Sequence, residues 1–571
     1  MTISSPRYSY LLNSNELPSA LEKATIQRDI IELEDRLSRM RCAVSPVRSL
    51  LPEVLGQIFV ATATMQYKPG ERIDTARVVD LSLVCKAWRA AAEMTHSLWA
   101  DIFIAEPGPQ IFDKAVAWMG RSGTTPKTLR IRLSHSYCER HEGYSVDAND
   151  EEISPDPEEP VSPCILDGVP LLKLFMEGPP LDNFEIGVTS TSCLRALLLR
   201  IQKETPKATP WMSLRSLDLR LYDPEHDLHW GEWRESSDAS TSMFNSLPSS
   251  LTSLRIHLPS ALPDAGGYDP QTPVHIPAST LRNLTSFTIV CDWDGTQIAM
   301  LLQHCTKAEY LDISYEFNPR QLWTQEANSL AQHNLPPHIH LSELRSLKVH
   351  YVPQCTAEHV LHFIDAPALL KIDVGIREDP EDQEGHNENE QLTVLRPTRL
   401  FLDSLGLLHP PRAVILQSLT ITNQDFFEAG FGDKDIISIL SPLVSLKRLV
   451  FIDVSFMGFD EEAGDSFAVM RRYMAADQQV LLLPCLEHLE LTSPYCDFPL
   501  ESLLRFIRAR HRRYARQQAS AVGNKSPNSL RRVVLRDIKN VLTLEEDCES
   551  ASAVELVRGM GITVECIRSP E

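Results

Sequence analysis

Long apolar runs are absent from this sequence of 571 residues. No run of about 18 apolar residues occurs, so no membrane-spanning helix is predicted. The N-terminal stretch MTISSPRYSYLLNSNEL lacks the basic region and the apolar core of a secretory signal peptide. The twelve cysteines include no C-x-x-C pair and form no dense disulfide framework. We therefore expect a cytoplasmic and/or nuclear protein whose cysteines are reduced.

Motifs that carry chemistry are also missing. The sequence contains no G-x-S-x-G elbow, Walker A loop, H-E-x-x-H pair or EF-hand loop. The pairs His226/His229, His338/His340 and Cys138/His141 each lack a second pair at zinc-ligand spacing. We predict a protein that is not an enzyme and that has no cofactor and no metal site. A triad assembled from distant residues is recognised by geometry, so motifs alone leave that alternative open.

Basic charge is in short supply, because 55 Lys and Arg oppose 77 Asp and Glu and give a formal net charge of −22. Binding to nucleic acid or to anionic membranes requires clustered cations, so we expect no nucleic-acid and no membrane partner. Neutral or basic partners are favoured.

Residues 139–160 and 377–391 are acidic and predict solvated loops, with docking of basic substrates as an alternative. Residues 505–516, RFIRARHRRYAR, predict a solvated helix face or, alternatively, a nuclear-import signal.

The first hundred residues contain helical patterns. Residues 1–15 have no helical period and predict a disordered N-terminus. Residues 16–45 predict an amphipathic, coiled-coil-like helix, in which the apolar residues step by four and three. These residues are Ile26, Ile30, Leu33, Leu37 and Met40. Either homodimerisation or packing of this helix onto the rest of the chain would cover them.

Residues 46–104 predict a compact helical module. Pro52 suits the first turn of a helix, and Val54, Leu55, Ile58 and Phe59 lie on one apolar face behind it. A second helix is expected to begin at Asp80 or Ser82. Its apolar stripe comprises Leu81, Val84, Cys85, Trp88 and Ala92.

The stretches LLPEVLGQIF and LSLVCKAWRAAAEMTHSLWADIFI resemble an F-box, specifically the F-box-like variety of mushroom-forming fungi. The resemblance covers about a tenth of the chain, and the insert YKPGERIDTA departs from the usual spacing between the helices. It implies binding to the Skp-family adaptor of an SCF-type cullin-RING ubiquitin ligase. The positions it assigns to the module and its adaptor interface are Leu51, Pro52, Leu55, Ile58, Leu81, Val84, Cys85 and Trp88.

A second pattern fills residues 105–571. After a predicted short helix at 110–121, the motif L-x-x-L-x-L or an apolar variant recurs eleven times. The copies begin at Leu194, Leu214, Leu251, Leu284, Ala308, Leu344, Leu369, Leu416, Leu446, Leu486 and Leu530. This is the spacing of a leucine-rich repeat, in which stacked units share one continuous core. Apolar stretches at 295–305, 357–364, 436–443 and 500–510 predict helices between strands.

The predicted fold class is therefore α/β: a small helical F-box-like module followed by an irregular leucine-rich-repeat-like solenoid of short parallel strands and helices. An all-α solenoid is the alternative, which the β-branched residues of the short segments disfavour. Leu217, Leu219, Leu254 and Leu347 are expected in the core. Strand positions that point away from it are candidate target-binding residues: Arg215, Asp218, Arg255, His257, Tyr310, Asp312, Lys348, His350, His488, Glu490 and Arg536.

Together these patterns favour a substrate receptor of an SCF ubiquitin ligase, which binds the adaptor through its F-box and an unknown protein target through its repeats. The alternative is a non-catalytic interaction scaffold that has an F-box-like fold and no ligase role.

Overall fold

The structure is a computed structural model. It describes residues 17–44, 46–67, 70–105, 110–132, 145–146, 152–153, 166, 169–188, 191–204, 210–221, 239–257, 274–290, 295–314, 339–353, 364–377, 402, 415–423, 433–454, 465–476, 481–492, 498–520, 530–536 and 554–567. The chain divides into two compact units. Residues 1–101 with 121–125 are called the helical unit, and residues 102–120 with 126–571 are called the repeat unit.

The helical unit begins with a long helix, α1 (Ala20–Ala43). Ser19 and Glu22 form a capping box at its start: the Glu22 backbone N–H donates to Ser19 Oγ (3.3 Å), and the Ser19 backbone N–H donates to Glu22 Oε2 (2.9 Å). The elements that follow are α2 (Pro52–Ala63), β1 (Thr64–Tyr67), β2 (Gly70–Ile73), α3 (Thr75–Leu83), α4 (Lys86–Met94) and short 3₁₀ turns at Pro46–Ser49 and His96–Trp99. As the sequence indicates, Pro52 occupies the first turn of α2.

The prediction of one helix from Asp80 or Ser82 through Ala92 is wrong. Asp74 caps α3 by accepting a hydrogen bond from the Arg77 backbone N–H (3.1 Å), so the helix starts earlier, at Thr75. Cys85 then has extended backbone angles, φ −161° and ψ 170°, which end the helical run. Consequently Leu81 and Trp88 lie on different helices. Most of the insert YKPGERIDTA forms part of the antiparallel pair β1–β2 and the beginning of α3.

The core of the helical unit lies among α2, α3, α4 and the turn at His96–Trp99. Its buried apolar side chains are Leu55, Phe59, Ala63, Val78, Ala91, Ala92, Leu98 and Trp99. The rings of Phe59 and Trp88 pack at a centroid distance of 5.0 Å. The Trp99 indole N–H donates to the carbonyl of Ala92 (2.6 Å), which satisfies this buried donor.

The repeat unit contains a sheet of fourteen described strands, which neighbour one another in chain order. Its strands are β3 (Asp101–Ile104), β4 (Thr128–Arg132), β7 (Asn183–Val188), β8 (Ser216–Leu221), β9 (Ser253–His257), β10 (Ser286–Val290), β11 (Tyr310–Ser314), β13 (Ser346–Pro353), β15 (Lys371–Arg377), β16 (Ser418–Asn423), β17 (Arg448–Ile452), β18 (His488–Thr492), β19 (Arg532–Arg536) and β20 (Thr563–Ile567). Every pairing from β4 to β20 is parallel. The short strands β12 (Ile339–His340) and β14 (Ile364–Asp365) form a separate parallel pair.

The leucine motif sets the register of this sheet. The second and third apolar positions of the motif align across neighbouring strands, as in Leu217 beside Leu254 and Leu347 beside Ile372. Leu217, Leu219, Leu254 and Leu347 are buried as predicted. One continuous apolar cluster extends from Ile102 to Val564, so the repeats share a core. The predicted α/β fold with short parallel strands and helices is confirmed.

Helices alternate with these strands. They are α5 (Ile111–Met119), α6 (Val169–Glu177), α7 (Thr191–Glu204), α8 (Ala278–Leu281), α9 (Gly295–Leu302), α10 (Asp433–Leu440), α11 (Ser466–Ala476) and α12 (Leu500–Ser520). The helices predicted near 110–121, 295–305, 436–443 and 500–510 are confirmed, with shifted ends. The helix predicted at 357–364 lies outside the described residues, except that Ile364 begins β14.

Ten of the eleven motif copies precede or enter strands, and the copy at Leu194 is wrong. Residues 194–199 lie in α7, where Leu194, Leu197, Leu198 and Ile201 are buried at helical spacing. The first two leucines of L-x-x-L-x-L also satisfy an i, i+3 helical stripe, so the motif did not distinguish helix from strand here. The strands β3, β4, β7 and β20 were not predicted.

The solvated helix face predicted at 505–516 is present, since Arg505, Arg512 and Arg516 are exposed, but Arg510 is an exception. Arg510 in α12 is only 1% exposed, and its Nη2 donates to the carbonyl of Leu483 (2.6 Å). Burial lowers the pKa of this guanidinium to about 10. Leu483 has a positive φ of 52°, which is a left-handed backbone conformation. The buried Arg510 therefore binds the carbonyl of a residue whose backbone is left-handed.

Several predictions fall largely outside the described residues: the disordered segment 1–15 and the acidic tracts 139–160 and 377–391. Within the first tract the structure describes the short antiparallel strands β5 (Ser145–Val146) and β6 (Glu152–Ile153). No helix in the described part of the chain combines the length and apolar character needed to cross a bilayer.

Candidate protein-binding surfaces

The helix α2 has two apolar sides. Leu55, only 5% exposed, and Phe59 face the core of the helical unit. Leu51, Val54 and Ile58 follow an i, i+3, i+7 spacing on the other side and are 65%, 44% and 44% exposed. Of the positions assigned to an adaptor interface, Leu51, Pro52 and Ile58 are therefore accessible, whereas Leu55 is a core residue. Val54 was not among the assigned positions, although it shares the accessible side.

The junction between α3 and α4 exposes more apolar surface. Val84 is 60% exposed and Leu83 is 63% exposed, and Cys85, the N-cap of α4, is also exposed. Leu81 is half-buried. Trp88 is half-buried and packs against Phe59, so it contributes more to the packing of the module than to its accessible surface. Clustered exposed apolar side chains are typical of interaction surfaces in folded proteins.

The repeat unit presents a polar face along its sheet, which we call the strand face. It consists of the side chains of β4 to β20 that alternate with the buried ones. In β9, for example, Leu254 and Ile256 are buried, while Ser253, Arg255 and His257 are half-buried on the opposite side. Alternate residues of a strand point to opposite faces, so these side chains lie in rows across the parallel strands.

The first cluster of the strand face spans β4, β7, β8 and β9. Arg220 Nη2 contacts Asp218 Oδ2 (2.6 Å) and Glu185 Oε1 (3.4 Å), and Arg130 Nε lies 3.7 Å from Glu185 Oε2. Arg255 Nε lies 4.0 Å from Asp218 Oδ1. Two of these five residues, Asp218 and Arg255, were predicted as target-binding positions.

Arg215 is also accessible, but it precedes β8 instead of lying on it. Its side chain is 73% exposed and lies 4.0 Å from Asp182. Its backbone N–H donates to the Asp182 carbonyl (2.8 Å), so Arg215 takes part in the backbone hydrogen bonding just before the paired strands β7 and β8.

The second cluster lies on β11, β13 and β15. The Tyr310 hydroxyl donates to Asp312 Oδ2 (3.1 Å), and Lys348 Nζ lies 3.6 Å from the same oxygen. His350 Nε2 lies 2.9 Å from Asp373 Oδ1. Burial and the neighbouring carboxylate of Asp312 raise the pKa of Tyr310, so it remains a hydrogen-bond donor at neutral pH.

Asp312 differs from the other predicted positions because it is only 7% exposed. Its Oδ1 is buried and accepts no hydrogen bond in the described part of the chain. A buried carboxylate oxygen without a donor costs free energy, on the order of 1–3 kcal/mol for a polar group. Asp312 is therefore placed to hold Tyr310 and Lys348 rather than to contact a partner through its own surface.

The third cluster centres on Glu490 of β18, whose side chain is 13% exposed. Its carboxylate accepts hydrogen bonds from Arg448 Nη2 (2.9 Å) and Arg536 Nη2 (3.3 Å) and lies 3.3 Å from His488 Nε2. Burial opposes ionisation, but these three hydrogen bonds outweigh it and lower the pKa of Glu490 below its ordinary value. Beside it, Arg532 and Glu565 form a two-bond ion pair at 2.6 and 2.9 Å.

The row positions were predictable from the sequence, but about half of the side chains that interact along the strand face were not among the predicted ones. Residues that it did not single out are Arg130, Glu185, Arg220, Asp373, Arg448, Arg532 and Glu565. The stretches TLRIR at 128–132 and NFEIGV at 183–188 show the same alternation and would have revealed Arg130 and Glu185. His257 is half-buried at the end of β9, in register with Val290.

No cluster of three or more histidine, cysteine or carboxylate side chains suited to a metal ion occurs within the described ranges. Burial raises the pKa of the Cys305 thiol to about 12, so this cysteine is an inert core residue at neutral pH.

No protein-family model matches the chain, and no curated protein matches it. Among solved structures, the chain is similar to the leucine-rich repeat-containing protein LegL7 from Legionella pneumophila. The similarity has a TM-score of 0.33 and 13% sequence identity, over 68% of this chain and 91% of that chain.

Proposed function

We propose that this protein is a substrate receptor of an SCF-type cullin-RING ubiquitin ligase. The helical unit binds a Skp-family adaptor, the strand face of the repeat unit binds a protein target, and the chain itself catalyses no reaction. By holding the target near the ligase, the receptor raises the effective concentration of its lysines. The compartment of action is the cytoplasm, the nucleus or both.

The observation that carries the adaptor proposal is the exposure of Leu51, Ile58 and Val84. The F-box resemblance assigns these positions to the adaptor interface, and all three side chains present apolar surface to solvent. Removing such surface from water contributes about 25 cal/mol per Å². A partner that covers α2 and the α3–α4 junction therefore gains free energy without rearranging the core of the unit.

The adaptor proposal is tested by co-purification of the full chain with a Skp-family adaptor. The double substitution Ile58→Asp, Val84→Asp should weaken capture at least about 100-fold, because it places two charges in an apolar interface. The combined change Leu51→Ala, Pro52→Ala should weaken capture less, since it removes apolar area without adding charge.

A matched control is Met94→Asp, which changes another exposed apolar residue of the same unit outside the assigned positions. It should leave capture unchanged. Trp88→Ala is unsuitable, because losing its packing against Phe59 would unfold the module. If the unmodified chain never captures the adaptor, the receptor proposal fails.

For target binding we assign direct contact to the more exposed predicted positions, Arg215, Arg255, Lys348 and Arg536. Asp218, Asp312 and Glu490 are assigned to positioning these cations, since each carboxylate lies beside at least one of them. Tyr310, His257, His350 and His488 complete the proposed surface at its half-buried positions.

The alternative function is an interaction scaffold that has an F-box-like fold but no ligase role. The hairpin β1–β2 favours it, because this hairpin separates α2 from α3 where the F-box pattern has a shorter connection. A scaffold would retain its targets through the strand face while showing no affinity for the adaptor, so the same purification distinguishes the two functions.

A further inference from the structure

The helix α1 carries an exposed apolar seam. Ile30, Leu33, Leu37 and Met40 are 47%, 52%, 48% and 61% exposed, and they recur at alternating steps of three and four residues. Val44, the next position in this series, is exposed as well. A helix in water owes most of its stability to packing of an apolar face, so this seam indicates a partner helix.

We propose that the partner is α1 of a second copy of this chain, paired in an antiparallel coiled coil. The seam is symmetric about residue 35, and this symmetry allows two identical helices of opposite direction to match layer for layer. Ile30 then packs on the partner's Met40, and Leu33 packs on the partner's Leu37. Ile26, which is half-buried, packs on the partner's Val44. Each layer occurs twice, as a two-fold axis requires.

The charges beside the seam select this direction. In heptad terms Asp29 and Arg36 occupy g positions, and Glu34 and Arg41 occupy e positions. An antiparallel pair places Asp29 beside the partner's Arg36 and Glu34 beside the partner's Arg41, so both contacts are attractive. A parallel pair in register places Asp29 beside the partner's Glu34 and Arg36 beside the partner's Arg41, so both contacts are repulsive.

The size of the interface fits a weak to moderate dimer. A helix of 24 residues is about 36 Å long, which provides roughly three heptads of contact. The capping box at Ser19 and Glu22 fixes the start of the helix, so the seam keeps its register from the first turn. This pairing uses α1 alone and does not depend on adaptor binding by α2, α3 and α4.

Sedimentation equilibrium of the purified full chain tests the seam. The unmodified chain should show a concentration-dependent equilibrium between monomer and dimer. Leu37→Asp should raise the dissociation constant at least about 100-fold, because it buries a charge in two symmetric layers. Ile31→Asp is the matched control: Ile31 is 67% exposed on the same helix but lies off the seam, so this variant should dimerise like the unmodified chain.

Charge exchange tests the direction. Glu34→Arg alone and Arg41→Glu alone should each weaken the antiparallel dimer roughly 5- to 30-fold, because two attractive pairs become repulsive. The double variant Glu34→Arg, Arg41→Glu should restore the original affinity. In a parallel dimer each single exchange would strengthen association instead.

Three results would overturn the proposal. One is a chain that stays monomeric at all concentrations, which would leave α1 to a different protein. Another is equal disruption by Ile31→Asp and Leu37→Asp, which would place the interface elsewhere. The third is tighter association of either single charge variant, which would establish the parallel direction.

Discussion

At the scale of single residues, the strand face is held together by its own side chains. Carboxylates on one strand pair with cations on the next, as Asp312 does with Lys348 and Glu490 does with Arg448 and Arg536. Surface ion pairs contribute typically below about 1 kcal/mol each, but these pairs differ, because the carboxylates of Asp312 and Glu490 are largely buried. Their main effect is on geometry, because each pair fixes where a long cationic side chain lies.

Glu490 is the carboxylate whose removal should have the largest effect. Glu490→Gln leaves Arg448 and Arg536 without their shared counter-charge, so we expect a loss of about 1–3 kcal/mol in unfolding free energy at pH 7. Because the folded-state pKa is lowered, this contribution is fully present above the unfolded pKa of about 4.3 and is lost as the pH falls through the folded-state value. Urea unfolding between pH 3 and 7 measures this contribution, and the variant should show a weaker pH dependence of its unfolding free energy.

The control for this prediction is Glu487→Gln. Glu487 lies one position off the row, is more exposed, and contacts Arg531 at 3.9 Å. Its removal should change the unfolding free energy by less than about 0.5 kcal/mol. Equal losses for the two variants would contradict the assignment of Glu490 as the hub of its cluster.

At the scale of elements, α2 approaches the turn after α4 closely at one glycine. A Cβ built on Gly56 would lie 2.2 Å from Thr95 Oγ1 and 3.4 Å from Thr95 Cβ. The hydroxyl is fixed in that position by donating to the Ala91 carbonyl (2.7 Å). Glycine is therefore required inside this helix, although alanine normally favours a helix by about 1 kcal/mol.

Gly56→Ala should destabilise the helical unit by about 1–3 kcal/mol, because the added methyl group collides with the Thr95 hydroxyl. Thr95→Ala removes that hydroxyl, so Gly56→Ala in the Thr95→Ala background should cost much less than Gly56→Ala alone. Thermal unfolding of the four chains measures this coupling. Additive effects would show that the close approach is not the cause.

The sequence predicted most elements of the sheet because each strand carries apolar residues at alternate positions behind a leading leucine. It failed where one pattern fits two structures. Leu194 and Leu197 suit both a helix and a strand, and the helix formed. The strand β20 was missed because Gly561 occupies the position of the leading leucine, whereas β7 has Leu181, Phe184 and Ile186 and fits the apolar variant of the motif but was not singled out.

The candidate surfaces were less predictable than the fold. Alternation identifies which strand residues leave the core, but the sequence does not give exposure, which depends on neighbouring strands. Asp312 and Arg255 occupy equivalent positions of their motifs, yet Asp312 is buried and Arg255 is not. The break at Cys85 was invisible for a similar reason, since neither proline nor glycine marks it.

At the scale of the whole molecule, the repeat unit has its own continuous core. A fragment of residues 102–571, which lacks residues 1–101 of the helical unit and keeps 121–125, should therefore fold and show one cooperative thermal transition. A shorter fragment, 126–571, removes β3 and α5, whose Ile111, Ala115 and Met119 are buried in that core. It should melt at a lower temperature and aggregate through the newly exposed edge of β4.

Circular dichroism and size-exclusion chromatography of the two fragments provide the measurement. A longer fragment that fails to fold would contradict the independence of the repeat unit, and identical melting of both would show that β3 and α5 add no stability.

The chain order of the sheet has a consequence for biosynthesis. Each strand pairs with the preceding strand of the same sheet, so its template has already left the ribosome when it emerges. Such nearest-neighbour assembly closes comparatively short loops at every step and keeps the entropic barrier of each step low. The repeat unit is therefore suited to fold strand by strand during translation, before its C-terminal strands are synthesised.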